Sequence, residues 1–83
     1  MNKLWHDTAW DDYIDWQMKD KKTLRKINAL IKDIERNGFN CTGKPEKLKY
    51  MDGYSVRIDN NNRLVFDIIN NKLEIYACKG HYE

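Results

Sequence analysis

The hydrophobic period of this 83-residue chain changes once, from helical to alternating, and that change limits the folds open to it. Leu24, Ile27, Leu30, Ile31 and Ile34 recur at spacings of three and four, which places them on one face of a helix. Asp20 precedes this run as an N-cap, and Asn37-Gly38 ends it, because glycine tolerates the left-handed backbone past a helix end. From Tyr54 onward the period is two: Tyr54, Val56 and Ile58 alternate with Ser55 and Arg57. After the polar turn Asp59-Asn60-Asn61-Asn62, a second strand runs through Arg63-Leu64-Val65-Phe66-Asp67-Ile68-Ile69. The pair Asn70-Asn71 turns the chain into a third strand, Leu73-Glu74-Ile75-Tyr76-Ala77-Cys78.

Upstream, Leu4-Trp5-His6 reads as a short strand and Asp7 as the cap of a first helix. That helix carries Ala9, Trp10, Tyr13, Ile14 and Gln17 on its inner face, with Asp11, Asp12 and Asp15 turned to solvent. Residues 38–53 hold three of the four glycines and the only proline, and read as loop. The expected fold is α+β, a two-helix hairpin packed on a small antiparallel sheet that the N-terminal strand can join, in one domain over residues 1–83. Helices on one face of such a sheet leave its other face open to a ligand.

With 41% hydrophobic residues the chain is not of the disordered class. No apolar run approaches the roughly 18 residues of a membrane span, and the N-terminus lacks the apolar stretch of a signal peptide. The expectation is a soluble, cytoplasmic protein. The net charge of +2 conceals a strong asymmetry. Residues 1–18 carry −3, residues 19–49 carry +6 and residues 50–83 carry −1. A basic middle of this kind suits an anionic partner, and it equally suits a solvated helix face. Cys41 and Cys78 are isolated thiols, expected to be reduced, and with His6 and His81 far apart they form no zinc-ligand pattern.

The sequence contains no P-loop, no GxSxG and no HExxH. What it offers is Glu46 among Lys44, Lys47 and Lys49, two arginines flanking one turn (Arg57 and Arg63), and a terminal His81-Tyr82. Metal-free cleavage of RNA needs a base for the 2′-hydroxyl proton, an acid for the departing 5′-oxygen, and cations for the charge on the pentavalent transition state. Carboxylate, imidazole and guanidinium are the side chains for those tasks. Each residue also has a plain structural reading: Glu46 as a solvated loop residue, the arginines as cross-strand ion-pair partners, His81 as an exposed end.

Five separated blocks then decide in favour of a family. Trp10-Asp11-Asp12-Tyr13 with Trp16-Gln17, Lys26-Ile27-Asn28 with Leu30-Ile31-Lys32-Asp33, Gly43-Lys44-Pro45-Glu46-x-Leu48-Lys49, Asn62-Arg63-Leu64-Val65 and His81-Tyr82 resemble, in order, the YoeB toxins of bacterial toxin–antitoxin modules (the Txe/YoeB family). The resemblance covers essentially the whole chain, with a short deletion near residues 51–53.

It implies a RelE-like fold and a ribosome-dependent endoribonuclease that enters the A site and cuts mRNA without a cofactor or metal. It also implies a YefM-like antitoxin, operator DNA contacted only through the toxin–antitoxin complex, and a chain that can dimerise. By motif, Glu46 is the implied general base, His81 the general acid and Arg63 the cation on the scissile phosphate. Arg57 and Tyr82 are implied as supporting residues. Lys19, Lys21, Lys22, Arg25 and Lys26 would meet ribosomal RNA, and Lys44, Lys47 and Lys49 phosphate near the cut.

The chain departs from the family twice. Val56 stands where the family's Ser-Arg-Arg segment has its first arginine, and its spacing with Tyr54 and Ile58 reads as core packing. Glu83 follows the tyrosine, and its carboxylates would favour protonated His81 while repelling RNA. Two other functions fit the same fold: a toxin acting on a protein target such as gyrase, and a module that grips RNA without cutting it.

Overall fold

The computed structural model describes residues 1–80. Strand β1 (Asn2–Trp5) leads directly into helix α1 (Asp7–Lys19), and a single residue separates α1 from helix α2 (Lys21–Asn37). A 3-10 turn (Gly38–Asn40) and the short strand β2 (Glu46–Lys47) lie in the stretch expected to be loop. Strands β3 (Tyr54–Arg57), β4 (Arg63–Ile69) and β5 (Lys72–Ala77) follow.

The strand order is β1-β5-β4-β3-β2. β2 to β5 form an antiparallel meander, whereas β1 pairs with β5 in parallel, from Asn2 opposite Lys72 to Trp5 opposite Ile75. The sheet is therefore mixed rather than wholly antiparallel. The helical hairpin is the long crossover that a parallel neighbour requires, although the hairpin and the meander both lie between β1 and β5 in the chain.

Local chemistry sets the helix ends. Asp20 Oδ1 accepts from the backbone N–H of Lys22 and Thr23, both at 3.1 Å, and Oδ2 accepts from the Thr23 hydroxyl at 2.8 Å. Gly38, at φ +58°, stops α2 as its spacing implied. Asp7 is not the cap of α1. His6 N donates to Ile75 O at 3.0 Å, so the β ladder holds residue 6 at the N-cap position and Asp7 becomes the first helical residue. There its charge still meets the positive end of the helix.

α1 also faces a different way from the expected one. Ala9 is buried and Tyr13 and Trp16 are half-buried, while Trp10 and Ile14 remain exposed. Asp12 and Asp15 are drawn toward the end of β5: Asp12 Oδ2 accepts from Cys78 N at 3.0 Å, and Asp15 pairs with Lys79.

The main core lies between α2 and the sheet. Ile27, Leu30, Ile31 and Ile34 meet Val56, Leu64, Phe66, Leu73, Ile75 and Cys78. Val56 is buried as its alternation with Ser55 and Arg57 implied. Asn70 and Asn71 both adopt positive φ (52° and 60°), the backbone of a type I′ turn, which asparagine tolerates. A register shift between Val65 and Phe66 lets Val65, Ala77 and Leu48 form a second small cluster, with Tyr76 packed against it. No helix among the described residues is long and apolar enough to cross a membrane.

Two outcomes follow. Hydrogen bonds from the Thr23 hydroxyl and backbone hold the Asp20 carboxyl below its ordinary value of 3.8. With the folded value depressed, the stabilisation is complete above 3.8 and fades as pH falls through the lower folded value. An asparagine at this position would still cap but not titrate, so Asp20→Asn shows a smaller fall in Tm between about pH 5 and about pH 2 than the parent chain. Both thiols are buried, and burial followed by the nearby Asp12 charge pushes Cys78 up to about 12. Maleimide at neutral pH should therefore label neither cysteine until denaturant unfolds the chain, as read by mass spectrometry.

Candidate active site

Cross-strand partners point to the same side of a sheet. Glu46 pairs with Ser55, Ser55 with Val65, and Val65 with Ala77. This row therefore crosses the face away from the helices, since the next residues in β3 and β4, Val56 and Leu64, enter the helix-side core. One step along, Arg57 pairs with Arg63 at the β3–β4 turn. Glu46, Arg57 and Arg63 thus share the open face. The two arginines are cross-strand neighbours of like charge, not partners in an ion pair with each other.

The turn that carries them is fixed by its own side chains. Asp59 Oδ1 accepts from Asn61 N at 2.8 Å and from Asn62 Nδ2 at 3.1 Å. Slight burial opposes the charge on Asp59, but those bonds and the Arg63 guanidinium outweigh it and hold the carboxyl below its ordinary value. Arg63 Nη1 donates to the backbone oxygens of Asp59 at 2.8 Å and Asn62 at 3.1 Å, so the guanidinium is anchored to the turn. Arg57 is exposed and Arg63 half-buried.

The chain returns to the same place at its end. Arg63 N donates to Gly80 O at 2.9 Å, and Gly80 N donates to Asn62 Oδ1 at 2.8 Å. His81 and Tyr82, expected to complete the site, lie outside the described residues, as does Glu83.

The lysines divide. Lys44 is exposed in the loop before Glu46, and Lys49 is exposed just after β2. Lys47 lies opposite Tyr54 on the helix side of the sheet, its Nζ 5.3 Å from the Tyr54 ring centre, and so does not share the face of Glu46. Lys22 and Lys26 line a cleft of about 290 Å³ with Thr23, Ile58 and Asp59, which puts the start of α2 beside the arginine-bearing turn. Lys21 and Arg25 are exposed on the helix layer, and Lys19 pairs with Asp15 at 3.2 Å.

The far end of the open face is acidic: Asp67 pairs with Glu74, and burial, then Glu74, Asp67 and Asp52, push the Tyr76 hydroxyl up. A polyanion is favoured at one end of this face and repelled at the other. Three residues given no role from sequence, Asp12, Trp16 and Asn62, bond the chain between β5 and Gly80. The first two belong to the quoted Trp-Asp-Asp-Tyr and Trp-Gln blocks, and the third opens Asn-Arg-Leu-Val.

A helical hairpin on one face of a small sheet, with a carboxylate and two guanidiniums on the other, has the architecture of the small RelE-like toxins. Solved structures agree over nearly the full chain. A YoeB/ParE toxin from Agrobacterium tumefaciens is 40% identical with a TM-score of 0.92, covering 99% of this chain and 100% of that one. Two Staphylococcus aureus structures each cover 99% of this chain and 98% of theirs. They are a YoeB dimer (44% identical, TM-score 0.89) and a YoeB–YefM complex (42%, 0.88). Toxin YoeB of Escherichia coli K12 is 45% identical over 84 aligned residues, covering 99% of this chain and all of that protein. Residues 5–82 match the YoeB-like toxins of bacterial type II toxin–antitoxin systems, and the chain belongs to that family.

Like charges directly opposite on a sheet cost roughly 0.2–1 kcal/mol. Removing one should stabilise the fold by about that amount. Arg57→Gln is expected to raise the urea midpoint while lowering toxicity in a bacterial growth assay.

Proposed function

We propose that this chain is a ribosome-dependent endoribonuclease that enters the A site, cleaves mRNA there and so inhibits translation. The observation that carries the reading is the grouping of Glu46, Arg57 and Arg63 on the sheet face left open by the helices, together with the family. Glu46 takes the proton of the 2′-hydroxyl, whose oxygen attacks the adjacent phosphorus. His81 gives a proton to the departing 5′-oxygen, leaving a cyclic phosphate and a free 5′-hydroxyl. Arg63, assisted by Arg57, offsets the charge gathering on the phosphoryl oxygens, and Tyr82 supports the acid–base pair.

Chemistry of this kind needs no metal, because acid, base and cation are all side chains. An unperturbed imidazole, near pKa 6.5, holds a proton over enough of the physiological range to serve as the acid. Glu46 is exposed on the free chain, and water is excluded from it when RNA docks.

Lys22 and Lys26, beside the turn, with Lys19, Lys21 and Arg25, are read as contacts to ribosomal RNA. Lys44 and Lys49 are read as contacts to phosphate near the cut, whereas Lys47, turned to the helix side over Tyr54, is not. Such binding weakens as salt rises, since each neutralised phosphate releases counterions. The toxin acts in the cytoplasm, where a YefM-like antitoxin binds it, and the pair reaches operator DNA through the antitoxin. A homodimer is the free form to look for, as in the Staphylococcus aureus relative.

Glu46→Gln, Arg63→Ala and His81→Gln should each lower mRNA cleavage by about 10²-fold or more, the usual range for loss of an acid, base or oxyanion-stabilising group. Growth after induction and primer extension on a reporter mRNA read the result. Full toxicity in all three, with DNA breaks in place of cut mRNA, points instead to a protein target. Ribosome binding without any cleaved product points to a non-cutting module.

A further inference from the structure

Both backbone polar groups of Gly80 are taken by the β3–β4 turn: its N–H donates to Asn62 Oδ1 at 2.8 Å, and its oxygen accepts from Arg63 N at 2.9 Å. Gly80 has φ +88°, a backbone shape that few other residues adopt, so the bracketed conformation is also a specific one. The Asn62 amide is itself oriented. Its Nδ2 donates to both Asp59 oxygens, at 3.1 and 3.2 Å, which leaves Oδ1 as the acceptor for Gly80.

From the other side α1 holds the same segment. Trp16 Nε1 donates to Cys78 O at 2.8 Å and Asp12 accepts from Cys78 N at 3.0 Å. The residue after Gly80 is His81, one peptide bond away.

We propose that Asn62 is a positioning residue for the cleavage reaction, fixing Gly80 against Arg63 so that the chain enters His81 from one defined point beside the phosphate-holding cation. The inference rests on the acid role read for His81 and goes beyond it, because Asn62 touches no substrate in this scheme. A turn staple alone does not require an acceptor aimed at a residue 18 positions away in sequence. Without that acceptor, Gly80 keeps one of its two anchors.

The test is single-turnover mRNA cleavage on programmed ribosomes, at a temperature where circular dichroism shows every variant folded. The proteins are wild type, Asn62→Ala, Asn62→Gln, His81→Gln and the Asn62→Ala/His81→Gln double variant, followed long enough to measure the slow ones. Misplacement of about 1 Å can cost up to about 10²-fold, so Asn62→Ala is expected to lower the maximal rate at saturating toxin about tenfold or more. The half-saturating concentration should stay unchanged. In the His81→Gln background the same substitution should have little further effect, because the group it positions is gone.

Asn62→Gln keeps a neutral amide with both the donor and the acceptor and should recover part of the rate; it carries the test if the alanine variant does not fold. A wild-type rate in Asn62→Ala, an equal fractional loss in both backgrounds, or a glutamine variant as slow as His81→Gln overturns the positioning role. An undiminished rate in His81→Gln overturns the acid assignment itself, and the positioning role falls with it.

Discussion

Cys78 is fully buried just past the last strand, and its backbone is bonded by side chains of the first helix: its N–H donates to Asp12 and its oxygen accepts from Trp16. A buried N–H left without an acceptor costs about 1–3 kcal/mol, so this pairing constrains whatever surrounds it. Residues 12 and 16 are one turn apart and reach the same strand end only if α1 rolls that face inward. The roll leaves Trp10 46% and Ile14 39% exposed, against the simplest reading of their spacing. It also takes Asp12 partly out of water, and burial raises its carboxyl above the ordinary value despite the bond from Cys78. The chain carries that cost at the one place where β5 is handed on toward residues 79 and 80.

What the sequence made legible was whatever depends on neighbours in the chain. The face of α2, its Asp20 cap, its Gly38 stop and the Asn70-Asn71 turn are local matters of period and backbone preference, and the structure agrees with each. Direction of pairing is not local. Nothing in Leu4-Trp5-His6 says that β1 will run parallel to β5, since that follows from where the helical hairpin delivers the chain. The roll of α1 was hidden for the same reason: an aspartate reads as a solvent residue until a buried N–H elsewhere claims it. At the site, the family blocks pointed to Glu46 and Arg63 and the family's Ser-Arg-Arg segment to Arg57, and cross-strand register brings the three to one face. Lys47, adjacent to Glu46 in sequence, goes to the opposite face, as alternation in a strand requires.

Charge divides the molecule as it divides the sequence. The acidic first helix uses Asp12 and Asp15 to hold the chain's end, so its net −3 is largely structural. The basic middle contributes Lys22 and Lys26 beside the β3–β4 turn, next to the two arginines. Across the open face, Asp67 and Glu74 supply the opposite sign. The sum is near neutral, but the field across the face is not, and a polyanion drawn to such a face is oriented by it as well as attracted.

Residues proposed as reactive lie at margins of the sheet where the free chain gains little. Glu46 begins a two-residue edge strand whose pairing rests on β3 alone. Arg57 and Arg63 face each other with like charge across one rung. Neither arrangement helps the free chain, because an edge strand frays readily and like charges opposite each other on a sheet repel. On the proposed function, a phosphate held by both arginines would offset that repulsion. The stability withheld from this margin is supplied by the opposite face, where Ile27 and Ile34 pack against Leu64, Phe66 and Ile75. The well-packed layer holds the sheet's shape so that its exposed layer can keep unfavourable groups close together.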